Sequence, residues 1–202
     1  MSDKQGRYHH GDLKTALVDA ATEVIAERGL RGFSLAEVSR RLGVTTAAPY
    51  RHFADRDELL AAVAARAVGV FADLLMADAA QVDGGPARLA AVAGTYVRFA
   101  AQQRPLFETI YNSGLDKTRY PGLQRAWEPV EALYSVVLEL CDGDKDEADA
   151  LVDAVEVSAY GYAKLLIDGE YGDGAGAVDT AAKKVGGAVR ALIAGRQALL
   201  QG

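Results

Sequence analysis

Between Ser34 and Phe53 the sequence SLAEVSRRLGVTTAAPYRHF sets two apolar patterns of helical spacing on either side of Gly43-Val44. A turn that tight needs a residue tolerant of positive φ, which Gly43 supplies. Val38, Leu42 and Val44 then point into a small core shared with a preceding helix. That helix is written in Asp12 to Arg28, where Leu13, Ala16, Leu17, Ala20, Ala21, Val24 and Ile25 recur at i, i+3, i+4 and i+7. Gly29 stands where a left-handed cap is expected. Ser34 and Glu37 form a capping box, each expected to satisfy the other's free backbone N–H.

Such packing leaves Thr45, Thr46, Ala47, Tyr50, Arg51 and His52 on or near the outer face of a third, very short helix from about Thr46 to His52. Small residues at its start allow close approach to a groove. Thr hydroxyls can reach bases or phosphates, and Thr or Ala methyls can touch a thymine methyl. Tyr50 and His52 can donate to phosphates, which fixes register rather than reading sequence. Arg56 and the N–H groups opening the next helix offer a further anion site. The same pattern also suits a helical hairpin that binds nothing, with Tyr50 and Phe53 as packing residues.

Several spaced matches in one register resemble the DNA-binding domain of the TetR (tetracycline-repressor-like) family over about residues 8–65. They are Tyr8-His-His-Gly11, Ala26-Glu-Arg-Gly29, Phe33-Ser-Leu-Ala-Glu-Val38, Leu42-Gly-Val44, Tyr50-Arg-His-Phe53 and Asp57-Glu-Leu-Leu60. The resemblance implies a three-helix DNA-binding head, a connecting helix, and a helical body that dimerises and often binds a small effector. It places the DNA-contacting positions on Ser34, Thr45, Thr46, Ala47, Tyr50, His52 and Arg56. Pro49 departs from the family's usual aliphatic residue. Proline is tolerated only in a helix's first turn, so the recognition helix starts no earlier than about Thr46 and is barely two turns long.

Downstream, Asp55 and Glu58 cap a helix from Arg56 to about Val82, closed by Asp83-Gly-Gly-Pro86. Five more helical stretches follow at about 86–103, 105–113, 121–141, 145–169 and 175–200, with Pro129 expected to kink or restart the third. The fold class is therefore all-α, about nine helices. A helix-turn-helix head over 1–54 precedes a dimerising, ligand-binding bundle over 55–202.

Net charge is −6, with nine Lys and Arg against nine Asp and Glu in residues 1–60, so the acidity lies in the body. A neutral head can still carry a local basic face. One cysteine, Cys141, excludes an internal disulfide and suits a reducing cytoplasm. Residues 1–12 lack the apolar core of a signal peptide. Uncharged runs such as Leu89 to Val97 fall short of a membrane span, so a cytoplasmic protein is expected.

The arm holding Lys4, Arg7, His9 and His10 could enter a minor groove or simply fray; His9-His10 makes no metal site without a Cys or carboxylate cluster. Arg40-Arg41 could touch phosphates or form a solvated face. Aromatics concentrate in the body, and Phe99, Phe107, Tyr111, Trp127, Tyr134 and Tyr160 are expected to line a cavity between helices. Ser158 to Gly169 is similar to a helix of one C-terminal subfamily, with Tyr160-Gly161 where that group has His-Gly and no preceding Trp.

The last two helices are expected to form a homodimer interface. One stripe is Leu151, Val155, Ala159, Tyr162 and Leu166. The other is Ala181, Val185, Ala188, Val189, Leu192 and Leu199, with Gly186-Gly187 allowing close approach. The alternative is that these stripes complete the monomer's own core. No phosphate loop, HExxH or nucleophile elbow is present, no His lies beyond His52, and Asp142 to Glu147 lacks calcium-loop spacing. The expected reading is thus no enzyme, no cofactor and no metal. It is a regulator that binds palindromic double-stranded operator DNA and is released by an unknown small-molecule effector. A regulator without any ligand is the alternative.

Overall fold

The computed structural model describes residues 10–172, 174 and 176–201, with side chains from Leu13 to Leu200. The arm Lys4 to His9 lies outside the described residues, as does the His10 side chain, so the minor-groove and metal readings of that arm gain no structural account.

Helix α1, His10–Gly32, is interrupted at Gly29, whose φ of 67° breaks the helical run where the sequence places its cap. A last turn carries the chain to Gly32. Helix α2, Leu35–Leu42, opens on Ser34, whose hydroxyl accepts from Glu37 N at 3.2 Å. The capping box is only half formed. The Glu37 carboxylate is taken by Arg28 (3.1 Å) and Arg40 (Nε, 3.0 Å) rather than turned back to the Ser34 N–H. Gly43 (φ 66°) closes α2, and Val44 N donates back to Ser39 O at 3.0 Å.

The largest local difference from expectation follows. In place of a two-turn α-helix, Thr45 to His52 is a chain of i→i+3 turns around a single 3-10 turn at Pro49–Arg51. Ala48 N donates to Thr45 O at 3.0 Å and His52 N to Pro49 O at 2.9 Å. Pro49 has no N–H to return to Thr45, so an α-helical ladder loses its first rung there.

Helix α3, Arg56–Ala80, starts at Asp55, which accepts from Glu58 N at 2.8 Å. Its first turns supply Leu59, Leu60 and Val63 to the head's core, alongside Leu17, Ala21 and Val24 of α1, Leu35 and Val38 of α2, and Phe53. Its later turns supply Phe71 and Leu75 to the body. One helix therefore serves two cores. By length and composition α3 could cross a bilayer, contrary to the expectation that no segment would qualify. However, 56% of its most apolar window is buried inside the fold, and that double duty accounts for its apolarity.

The body consists of α4 (Gly85–Gln102), α5 (Arg104–Asn112), α6 (Pro121–Glu131), α7 (Tyr134–Leu140), α8 (Lys145–Ile167) and α9 (Gly176–Ala194). Nine α-helices and no strand stand among the described residues. The expected 121–141 helix is two, restarting at Ala132-Leu133 just past Pro129. Helix α9 stops at Ala194 rather than running to 200. Arg196 turns back onto the buried Glu147, Nε to Oε1 3.1 Å, and a closing 3-10 turn follows.

The two stripes assigned to a dimer interface mostly face inward. Leu151, Val155, Ala159, Ala181, Val185 and Val189 are buried in the body's own core, with Leu166, Leu192 and Leu199 packed against it. Helical period reveals an apolar face but not which neighbour covers it, and here α4 covers most of it. Gly186 belongs to that contact: a Cβ on it would sit 3.5 Å from Ala90 O of α4.

Candidate nucleic-acid interface and body cavity

Four of the head's arginines, Arg28, Arg40, Arg41 and Arg56, are already committed. Arg41 pairs with Glu23 at 3.1 Å and with Glu27, and Arg40 with Glu37. These contacts hold the Glu27 and Glu37 carboxyls below their ordinary values. The Arg40-Arg41 pair is therefore a brace between α1 and α2 rather than a free phosphate clamp.

Arg56 is likewise engaged. Its guanidinium donates to Phe33 O (3.3 Å) and Leu30 O (3.2 Å), pairs with Asp57 (3.0 Å), and lies over the Phe33 ring. It ties α3 to the chain after Gly29. The anion site expected there has its cation already balanced. His52, placed on the outer face by sequence, is half-buried, with Nε2 enclosed and without a hydrogen-bond partner.

What remains exposed is a continuous surface. Thr45, Thr46, Ala47, Tyr50 and Arg51 are all exposed, Tyr50 at 58% of its area, and Ser34 is exposed at the α2 cap. Pro49 between them is buried and anchors the turn from beneath. Arg51 has no ion-pair partner among the described residues. An apolar anchor below and hydroxyls, a methyl, a phenol and a free guanidinium above form a surface able to approach a polyanion and touch base edges. Replacing Pro49 by Leu restores the missing N–H donor. Pro49→Leu is expected to lengthen the turn into an α-helix and to alter which DNA sequence is selected more than how tightly the best one binds. Amide exchange at position 49 and sequence selection from random DNA check this.

In the body, a cavity of about 720 Å³ opens between α3, α4, α6 and α8. Of the six expected aromatics, Tyr111, Trp127 and Tyr134 line it. Phe99 and Phe107 do not: both are fully buried behind its wall, packed on Phe71 and on Tyr96. Tyr160 stacks on Phe107 outside the lining. Sequence reasoning passed over Phe71, Tyr96, Glu156 and Lys117, which do line it. Tyr96 sits three residues from Phe99 on α4, and only the helix's rotation decides which ring meets the void. No one-dimensional signal fixes that rotation.

The polar groups at this cavity differ sharply. Tyr134 donates to Asp149 at 2.6 Å, and that bond pushes its phenol up to about 12. Lys117 pairs with Glu131 at 3.2 Å and lies over Trp127. Tyr96 is only 7% exposed, and its enclosed hydroxyl makes no hydrogen bond of normal geometry, the Tyr111 hydroxyl being its polar neighbour. Burial first, then neighbouring Tyr111 and Glu156, hold that phenol far above its ordinary range. An unpaired buried hydroxyl costs on the order of 1–3 kcal/mol. Tyr96→Phe removes it isosterically, so the empty protein is expected to gain about 1 kcal/mol, read as a higher midpoint in urea with unchanged slope.

A third surface lies on the outer side of the last two helices. On α8, Val157 is 71% and Leu165 45% exposed, with Gly161 between them. On α9, Gly187 and Ala191 are exposed and Ala188 half-buried. A Cβ on Gly161 or Gly187 would meet nothing within 4 Å.

Two family descriptions match the chain. "Bacterial regulatory proteins, tetR family" covers residues 17–63, and "Tetracyclin repressor-like, C-terminal domain" covers 89–188. A helix-turn-helix-type transcriptional regulator of Haemophilus influenzae, itself uncharacterised, is 30% identical over 98 residues; the match spans 48%, about half, of either chain. A protein of unknown function from Rhodococcus sp. RHA1 superposes with a TM-score of 0.75 at 27% identity, covering 93% of this chain and 98% of its own. RolR in complex with resorcinol superposes with a TM-score of 0.65 at 19% identity, covering 94% and 93%.

Proposed function

The chain belongs to the TetR family and is a helix-turn-helix transcriptional regulator, and from that premise we propose that it acts as a homodimeric cytoplasmic repressor released from its operator by a small molecule. The observation that carries the DNA half is the exposed surface of Thr45, Thr46, Ala47, Tyr50 and Arg51 on a head where Arg28, Arg40, Arg41 and Arg56 are paired. Thr45, Thr46 and Ala47 meet base edges in the major groove. Tyr50 and Arg51 hold phosphates, Ser34 fixes the start of α2 beside them, and His52 and Arg56 position the turn from within. Two heads on one palindrome require half-site centres roughly 34–36 Å apart.

The dimer forms through α8 and α9, on their outward strip rather than on the buried stripes. Val157, Gly161 and Leu165 meet a partner's small residues around Gly187 and Ala191. The 720 Å³ cavity supports the effector half, and RolR, a fold relative, has been described with a small molecule bound. Ligand and operator are then coupled reciprocally: each weakens the other's binding by one factor.

Selection of bound fragments from random DNA tests the reading, repeated with Tyr50→Ala and Thr46→Ala. Loss of Tyr50 weakens all sequences alike, whereas loss of Thr46 changes which sequence wins. A chain that enriches no sequence at low salt is not a regulator of this kind.

A further inference from the structure

A second cleft lies on the other face of α4, between α4 and α9, and shares no lining residue with the ligand cavity. Its volume of about 420 Å³ is at the small end of the roughly 300–1,000 Å³ usual for small-molecule sites. The floor is methyl groups and backbone, from Ala90 and Gly94 of α4 and Ala182 and Gly186 of α9. The walls are charged: Arg98 on α4, and Asp179, Lys183 and Arg190 on α9.

The two helices cross antiparallel over this floor. A Cβ on Gly94 would stand 3.7 Å from Ala182 O, and one on Gly186 3.5 Å from Ala90 O. The two glycines are thus about one helical turn apart along the crossing, some 6 Å. Each lies beneath an arginine of its own helix. Arg98 Nη1 is 3.4 Å from the Cβ position of Gly94, and Arg190 Nη1 3.7 Å from that of Gly186. The two guanidiniums therefore fold back from opposite ends toward the same short stretch of floor. Lys183 stands on α9 between those two levels.

These cations are differently engaged. Arg98 Nη2 donates to Asp78 at 3.0 Å and to Thr95 Oγ1 at 2.9 Å, a contact from outside the cleft that fixes the guanidinium and leaves Nη1 over Gly94. Lys183 and Arg190 make no ion pair among the described residues, and neither does Asp179. Three cations and one carboxylate thus face one small space, on a body that is acidic as a whole. Guanidinium forks match phosphoryl oxygens two at a time, and such charge-assisted bonds are the strong ones. Asp179 repels a bare dianion but accepts well from a hydroxyl.

We propose that the α4–α9 cleft binds a small phosphorylated polyol, its phosphoryl group held by Arg98, Lys183 and Arg190 and its hydroxyls by Asp179. The site is separate from the effector cavity and stands whether or not that cavity holds a ligand.

Calorimetric titration of the full-length protein at constant ionic strength tests this with glycerol 3-phosphate, inorganic phosphate and glycerol. Glycerol 3-phosphate is expected to bind about threefold or more tighter than inorganic phosphate, and glycerol not at all. Lys183→Gln and Arg190→Gln each weaken the ester by about tenfold or more. Both side chains are exposed, so the fold tolerates the changes. Arg190→Lys keeps the charge but loses the fork, and falls between. Asp179→Asn tightens inorganic phosphate and erases the ester's advantage over it. Lys145→Gln, at an exposed lysine opening α8, changes either affinity by less than about twofold. The inference is overturned if the ester does not bind at millimolar concentration or binds no better than inorganic phosphate. It is overturned equally if Lys145→Gln costs as much as Lys183→Gln, which marks diffuse attraction, or if Arg190→Gln leaves the ester's affinity unchanged.

Discussion

A chain carrying both Val157→Asp and Leu165→Asp is expected to sediment as a monomer and to lose operator affinity by roughly a hundredfold or more. In the isolated protomer the two side chains are 71% and 45% exposed, so carboxylates there remain in water and the fold tolerates them, as surface changes usually shift stability by about 0.5 kcal/mol or less. In a dimer built on this strip, two-fold symmetry doubles the insult. Four carboxylates are brought together out of water, each with a desolvation cost of several kcal/mol by general estimate. Lys184 shares the α9 face of Gly187, Ala188 and Ala191 but lies over the Tyr171 ring, and one cation per protomer does not balance two carboxylates. Each head then binds its half-site alone, without the high effective concentration that linkage provides. Sedimentation equilibrium and a titration with palindromic DNA check the two halves together. A double variant that remains a dimer with intact operator binding shows that α8 and α9 associate through some other face.

Arg51→Glu is expected to weaken binding to every DNA sequence by about a hundredfold at moderate salt and to leave the melting temperature unchanged. Arg51 is exposed beside Tyr50 and makes no ion pair, whereas Arg28, Arg40, Arg41 and Arg56 are all paired within the head. Its charge is thus available to a phosphate, and removing it disturbs no internal bond. A dimer loses two such contacts, so the plot of log affinity against log salt should flatten by about two charges' worth, near 0.9 per contact. The introduced carboxylate adds repulsion at both sites. A changed sequence preference with an unchanged salt slope would instead place Arg51 at a base edge. Arg41→Glu makes the useful contrast: it breaks the Glu23 and Glu27 pairs, so its effect falls on the head's packing first.

The head was the most legible part of the chain because its signals are local. Gly29 and Gly43 each take positive φ where a cap and a tight turn need it, and Ser34 and Asp55 cap the helices that follow them. The same locality misjudged Thr46 to His52. The effect of Pro49 on the helix start was anticipated, but its removal of a donor turned the expected two turns into a 3-10 turn. In the body, periodicity found the helices but not their partners. Val185 and Val189 were expected at an interface, with the core as the alternative, and only the close approach of α4, made possible at Gly94 and Gly186, decides for the core. Likewise Glu147 and Arg196, far apart in sequence, end α9 through a contact that no window of residues could reveal. The cavity was foreseen as aromatic; which rings face it depended on helix rotation, so Tyr96 was missed and Phe99 wrongly included.

Helix α3 runs unbroken for 25 residues from the head's core to the cavity wall, a rod of roughly 37 Å at 1.5 Å per residue. Such a rod is a lever. With Val68 and Phe71 as its fulcrum, 12 and 15 residues from the Arg56 end, a tilt of about 5° carries that end about 2 Å sideways. With one such lever in each protomer of the proposed dimer, the gap between two reading surfaces changes by up to about 4 Å against a groove repeat of roughly 34–36 Å. In the proposed mechanism a slight repacking of rings deep in the body is thereby passed to the reading surfaces as a mismatch that a rigid double helix does not accommodate.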